Sequence, residues 1–110
     1  MNLDIFIDPM EVQPVFPGGE EKMHRYISSK MEYPTLALKN RIQGKVIVSF
    51  YIDTLGALSD IKALRGIGYG CDEEAIRIVK SMPKWAPATR NNKPVKVNYH
   101  LPISFNLKPQ

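Results

Sequence analysis

The sequence predicts an α+β domain in which two helices pack on one face of a small three- to four-stranded antiparallel sheet. Three observations carry that prediction. Two stretches, one after Gly19 and one from Asp72, space their apolar residues three and four apart, as an amphipathic helix does. Residues 46–52 alternate with period two, as a half-buried strand does. A thirteen-residue alternation then runs from Val95 to Leu107. At 110 residues, 44% of them hydrophobic, the chain is one domain with one core, and a net charge of +4 is too small to hold it unfolded.

Taken in order, residues 1–15 show no sustained period and read as an extended N-terminal arm, with the domain proper spanning residues 16–110. Phe16-Pro17-Gly18-Gly19 is a turn. Glu20 and Glu21 follow where the first turn of a helix favours negative charge. Met23, Tyr26, Ile27 and Met31 form one apolar stripe, and Tyr33-Pro34 ends the helix. Leu36 to Leu38 allow one or two further turns, with Asn40 as a left-handed cap. Val46, Val48, Phe50 and Ile52 face one side of a strand, Asp53 to Gly56 supply a turn, and residues 58–64 complete a hairpin. Gly66, Gly68 and Gly70 form a loop before the second helix. There Asp72 is the expected N-cap, and Cys71 and Ile76 the expected hydrophobic staple. Ala75, Ile78, Val79 and Met82 line the buried face of that helix, Pro83 ends it, and residues 84–88 read as an extended connection. Pro102 interrupts the closing alternation. A proline has no N–H for a ladder, so the longest strand is expected at the sheet edge.

The residue content argues against an enzyme. His24 and His100 stand alone, and there is no HExxH, GxSxG or glycine-rich phosphate loop. Gly66-Ile67-Gly68-Tyr69-Gly70 fits no nucleotide fingerprint, and Asp72, Glu73 and Glu74 beside it repel phosphate. The single cysteine, Cys71, excludes an internal disulfide and a cysteine-built zinc site, so no cofactor or metal is expected. No window approaches the ~20 apolar residues of a membrane-spanning helix, and Met1 to Met10 lacks the pattern of a secretory signal.

Charge is uneven: residues 1–40 hold six acids and four bases, whereas the segment after Glu74 holds seven bases and no acid. A basic half suits nucleic acid, an anionic surface or an acidic protein partner, and equally a solvated face. Single-strand binders need several aromatics on an exposed sheet face, and only Tyr51 points that way, so nucleic acid is not expected. What remains is peptide binding. A free strand edge accepts an extended segment as an added strand, and this one carries only Lys96, His100 and Pro102 as protection over thirteen residues. The same edge is equally open to closure by the chain's own arm or by a second copy.

The residues also resemble a known family. Phe16-Pro17-Gly18-Gly19-Glu20, Tyr33-Pro34, residues 43–50 and residues 53–56 are similar to the C-terminal domain of TonB, the periplasmic energy transducer of Gram-negative bacteria. The series continues with Asp72-Glu73-Glu74-Ala75, with Met82 to Ala88, with Lys93-Pro94-Val95 and with Leu101 to Phe105, about 95 residues in all. Cys71 departs from the larger apolar residue usual there, and residues 1–14 match nothing distinctive. The resemblance implies the same fold as derived above. It also implies capture of the TonB box, a short segment of outer-membrane receptors, as a strand added along Val97, Asn98, Tyr99, His100, Leu101, Pro102 and Ile103. Trp85 and Pro87 are then expected to pack the helix–strand connection rather than touch the partner.

Further implications concern the parent protein. It would be periplasmic and anchored in the inner membrane, with the anchor absent from this chain. A proton-driven motor complex would act on it through the missing N-terminal region, to drive active uptake. The resemblance leaves a monomer and a strand-exchanged homodimer both open. Similar domains also occur on membrane sensors, including regulatory metallopeptidases, where they would serve as periplasmic ligand-binding or dimerisation modules.

Overall fold

A computed structural model of the chain describes residues 11–107. In order, the elements are β1 (Glu11–Val12), α1 (Glu20–Lys30), α2 (Thr35–Lys39), β2 (Gly44–Ile52), β3 (Leu58–Arg65), α3 (Cys71–Lys80), β4 (Ala88–Arg90), β5 (Lys93–Val95) and β6 (Val97–Phe105). The main sheet is antiparallel with order β3-β2-β6, and a smaller sheet has order β1-β4-β5. α1 and α3 cover one face of the main sheet, which is the predicted α+β arrangement. Their buried residues Met23, Ile27, Ala75, Ile78 and Val79 join one core with Val46, Val48, Phe50 and Ile52 of β2 and Leu101, Ile103 and Phe105 of β6. The other face carries exposed Lys45, Tyr51, Lys62, Arg65 and His100.

Local chemistry explains most boundaries. Pro17 and Gly18 occupy the centre of a turn closed by the Gly19 N–H donating to the Phe16 carbonyl at 2.7 Å, with Gly18 at φ 88°. That is the combination a type II turn requires. Glu20 and Glu21 follow in the first turn of α1, as expected. At the β2–β3 turn, Asp53 Oδ1 accepts the N–H groups of Leu55 (2.8 Å) and Ala57 (2.9 Å). These bonds hold the Asp53 carboxyl below its ordinary range. Gly56 in the same turn has φ 87°, and a Cβ there would lie 1.9 Å from the Trp85 carbonyl oxygen. The Trp85 N–H donates to the Gly56 carbonyl at 2.9 Å, so the turn and the segment after α3 touch backbone to backbone. Only glycine fits that contact.

Five expectations need correction. First, the thirteen-residue alternation is not one strand: Val95 pairs with Ala88, Lys96 is unpaired, and Val97 pairs with Ile52. Alternation reports which face a residue takes, and it continues unbroken while the backbone changes partner. Second, the extended connection over residues 84–88 leads into a hairpin that the expectation lacked. Asn91 and Asn92 both have positive φ, 53° and 66°, the two-residue turn that joins β4 to β5.

Third, Gly70 in the left-handed region is the N-cap of α3. Asp72 lies inside the first turn, and its Oδ1 accepts the N–H groups of Ile67 (2.9 Å) and Gly68 (3.1 Å). The carboxylate therefore fastens the glycine loop instead of the helix end. Fourth, the staple is displaced for the same reason: Cys71 is the first residue of α3 and fully buried. Burial, then the neighbouring Asp72, Glu73 and Glu74 carboxylates, push its thiol up. Fifth, Asn40 is not left-handed; Arg41 is, at φ 52°.

Of the arm expected over residues 1–15, residues 1–10 lie outside the described residues. Glu11 and Val12 pair with Arg90 and Thr89, and Val15 exchanges backbone hydrogen bonds with Ala86 at 3.0 and 2.8 Å.

Candidate strand-docking edge

The β2–β6 ladder is regular, with nine consecutive pairs from Gly44↔Phe105 to Ile52↔Val97. Pro102 sits within it opposite Ile47, and pairing continues on both sides. A proline fits such a ladder only where its nitrogen faces away from the partner strand. The hydrogen-bonded positions of β6 are therefore Val97, Tyr99, Leu101, Ile103 and Phe105. Alternation then turns the N–H and C=O of Asn98, His100 and Ser104 to the opposite side, and Pro102 adds a carbonyl there. Among the described residues no strand lies on that side.

The expected site residues thus divide by parity. Leu101 and Ile103 are buried, Val97 and Tyr99 half-buried, and all four face the helices. Their amides serve β2. Asn98, His100 and Pro102 are exposed, and they alone of the seven present backbone groups to the free side. Ser104 belongs with them but falls just beyond the expected range; its place in the alternation after Pro102 was the signal.

The strand rests on a closely packed aromatic underside. Trp85 is 3% exposed and stacks edge-on against Phe16 (5.9 Å between ring centroids), Phe50 (5.6 Å) and Tyr99 (5.0 Å). Such aromatic clusters add to the energy of burial alone. Burial, then the nearby Glu20 carboxylate, push the Tyr99 phenol up. On the other face, Asn98 Nδ2 donates to Ser49 Oγ and to the Phe50 carbonyl, both at 3.1 Å, tying the start of β6 to β2. Beyond its end, the Leu107 N–H donates to Gln43 Oε1 at 2.7 Å. A cleft of about 620 Å³ opens beside this end, between Ile27 of α1, Met31 just after that helix, Leu38 of α2 and Ser104 to Leu107.

The opposite edge, β3, is built differently. Its register with β2 shifts between Ile47 and Val48 and again between Ser49 and Tyr51, and Asp60 has φ 51°. Bulges of this kind twist an edge away from further pairing.

Other reactive groups are dispersed. His24 lies 3.9 Å from Glu20 on α1, and His100 lies on β6. Glu74 is buried and accepts the Glu32 N–H (2.7 Å) together with Arg77 Nε (2.8 Å) and an Arg77 terminal nitrogen (2.7 Å). Arg77 also donates to the Lys30 carbonyl at 2.8 Å, so the pair joins the end of α1 to α3. Among the described residues, no three of His, Cys, Asp and Glu gather as a metal-holding group.

The family described as Gram-negative bacterial TonB protein C-terminal matches residues 29–107, which contain the whole β3-β2-β6 sheet and α3. The chain belongs to the TonB C-terminal family. Curated TonB proteins from two strains of Helicobacter pylori are 32% and 34% identical to it over 103 residues, each match covering 89% of this chain. The chain spans 35% of the length of those TonB relatives. Two NMR solution structures of the H. pylori TonB C-terminal domain share the fold at 30% identity. One has a TM-score of 0.61 and covers 82% of this chain and 95% of its own. The other has a TM-score of 0.59 and covers 86% and 89%. As in those TonB domains, the fold is α+β.

Proposed function

We propose that this TonB C-terminal domain captures the TonB box of outer-membrane receptors as an added strand along β6 and thereby couples a pulling force to active uptake. One observation carries the reading: a regular strand with its outward N–H and C=O groups at Asn98, His100 and Ser104 unmatched by any strand among the described residues. An extended segment satisfies those groups by main-chain hydrogen bonds, with little demand on its side chains. Family membership supports the periplasmic setting, an inner-membrane anchor in the parent protein, and a motor complex acting through the region upstream. In this reading no covalent bond is broken: the domain is not an enzyme, and its work is mechanical.

The test is titration of a labelled domain with a synthetic peptide of a TonB-box sequence from the same genome. The expected result is amide shift changes concentrated on residues 97–104, and their loss in a His100→Pro variant that keeps its fold. Shift changes elsewhere, or affinity unaffected by that proline, overturn the reading.

A further inference from the structure

The main sheet leaves one face without helices, and its charge is one-sided. Lys45, Lys62 and Arg65 project from it at register positions opposite Ser104, Ser49 and Ile47. Lys96 joins them, its Nζ 5.0 Å from the centroid of the Tyr51 ring. All four are exposed, and among the described residues none has a carboxylate within ion-pairing distance. The described acids lie on β1, on the helices, in the α1–α2 linker and in the β2–β3 turn, except Asp60 in the bulge of β3. The centre of the face is amphipathic: Ile47 is half-buried, Tyr51 is 38% exposed and Pro102 is exposed.

We infer that this face docks on an anionic lipid headgroup layer. Long basic side chains around a tyrosine suit a fluid plane of charge, because their stems lie along apolar surface while the charged ends reach outward. A nucleic-acid platform needs several exposed aromatics for stacking bases. This face has Tyr51 alone, with the Lys96 ammonium over its ring. The inference goes beyond strand capture and needs no receptor segment. It would hold the free edge of β6 level with a membrane surface.

Co-sedimentation of the domain with phosphatidylcholine vesicles, with and without phosphatidylglycerol, tests it at low and high salt. The expected result is binding only to the anionic vesicles and only at low salt. The reversal Lys62→Glu with Arg65→Glu should lower it by about 25-fold or more, at about fivefold for each basic side chain taken from the lipid surface. Lys22→Glu with Lys39→Glu, on the helices, makes the same change in net charge and should alter it little. Far-ultraviolet circular dichroism checks that both variants fold. Absence of binding to anionic vesicles, or equal weakening in both variants, overturns the inference. So does tighter, face-dependent binding of polyglutamate or single-stranded DNA. His100→Pro should retain vesicle binding, so failure here and failure of strand capture are separable.

Discussion

The two edges of the main sheet solve the same problem in opposite ways. β3 and β6 flank β2, and each has one unpaired side among the described residues. β3 is bulged twice and twisted out of register, so its outward groups do not form an even row. β6 pairs with β2 at nine consecutive positions, and its only break is the missing N–H of Pro102. In the proposed reading, what opens an edge to a partner is its regularity rather than its exposure alone. The inward side chains of β6 pack into the core along its length: Tyr99 lies against Trp85 and Phe50 near its start, and Ile103 and Phe105 are buried near its end.

Proline scanning breaks the comparison most sharply. His100→Pro deletes an outward N–H beside the one already missing at Pro102, and should lower affinity for a TonB-box peptide by about tenfold or more. Leu64→Pro, at the bulged position of β3, should leave that affinity unchanged when both are measured by calorimetry. The next effect is on the support of β6. Gly56→Ala forces a side chain onto the Trp85 carbonyl at positive φ and should destabilise the fold by about 2 kcal/mol or more, read by urea denaturation.

A smaller effect separates the helix side from the edge. Burial disfavours the Glu74 carboxylate, but the Arg77 guanidinium and the Glu32 amide outweigh it and hold its carboxyl below the ordinary range. A depressed carboxyl stabilises the fold above the unfolded pKa, and that stability is lost as pH falls through the folded pKa. Glu74→Gln should cost roughly 1–2 kcal/mol at neutral pH. It should also flatten the decline below about pH 4.5, the ordinary value for glutamate, leaving the part due to Asp53. Peptide affinity at β6 should not change.

Elements with local signals are legible in the sequence. The β2 alternation, the Asp53–Gly56 turn, the Pro17-Gly18 turn and the buried stripe of α3 all stand where the residues put them. The edge position of β6 is legible too, from Pro102 alone. What is hidden depends on partners distant in sequence. The change of partner at Lys96 is masked because side-chain parity runs through it. The tie from Glu74 to Glu32 crosses 42 positions and leaves no periodic trace. Asp72 could equally cap a helix or fasten a loop, and the glycines before it, which let the chain turn back, decide for the loop. The hairpin at Asn91-Asn92 was readable from turn chemistry, although the dipeptide looks like an ordinary polar loop.

Amide hydrogen exchange along β6, with and without a TonB-box peptide, tests the central claim most directly. In the free domain, the amides of Asn98, His100 and Ser104 should exchange fast while those of Val97, Tyr99, Leu101, Ile103 and Phe105 are protected by β2. Peptide should protect Asn98, His100 and Ser104 and leave the other five unchanged. If those three amides exchange equally fast with saturating peptide bound, the partner is not an added strand on this edge.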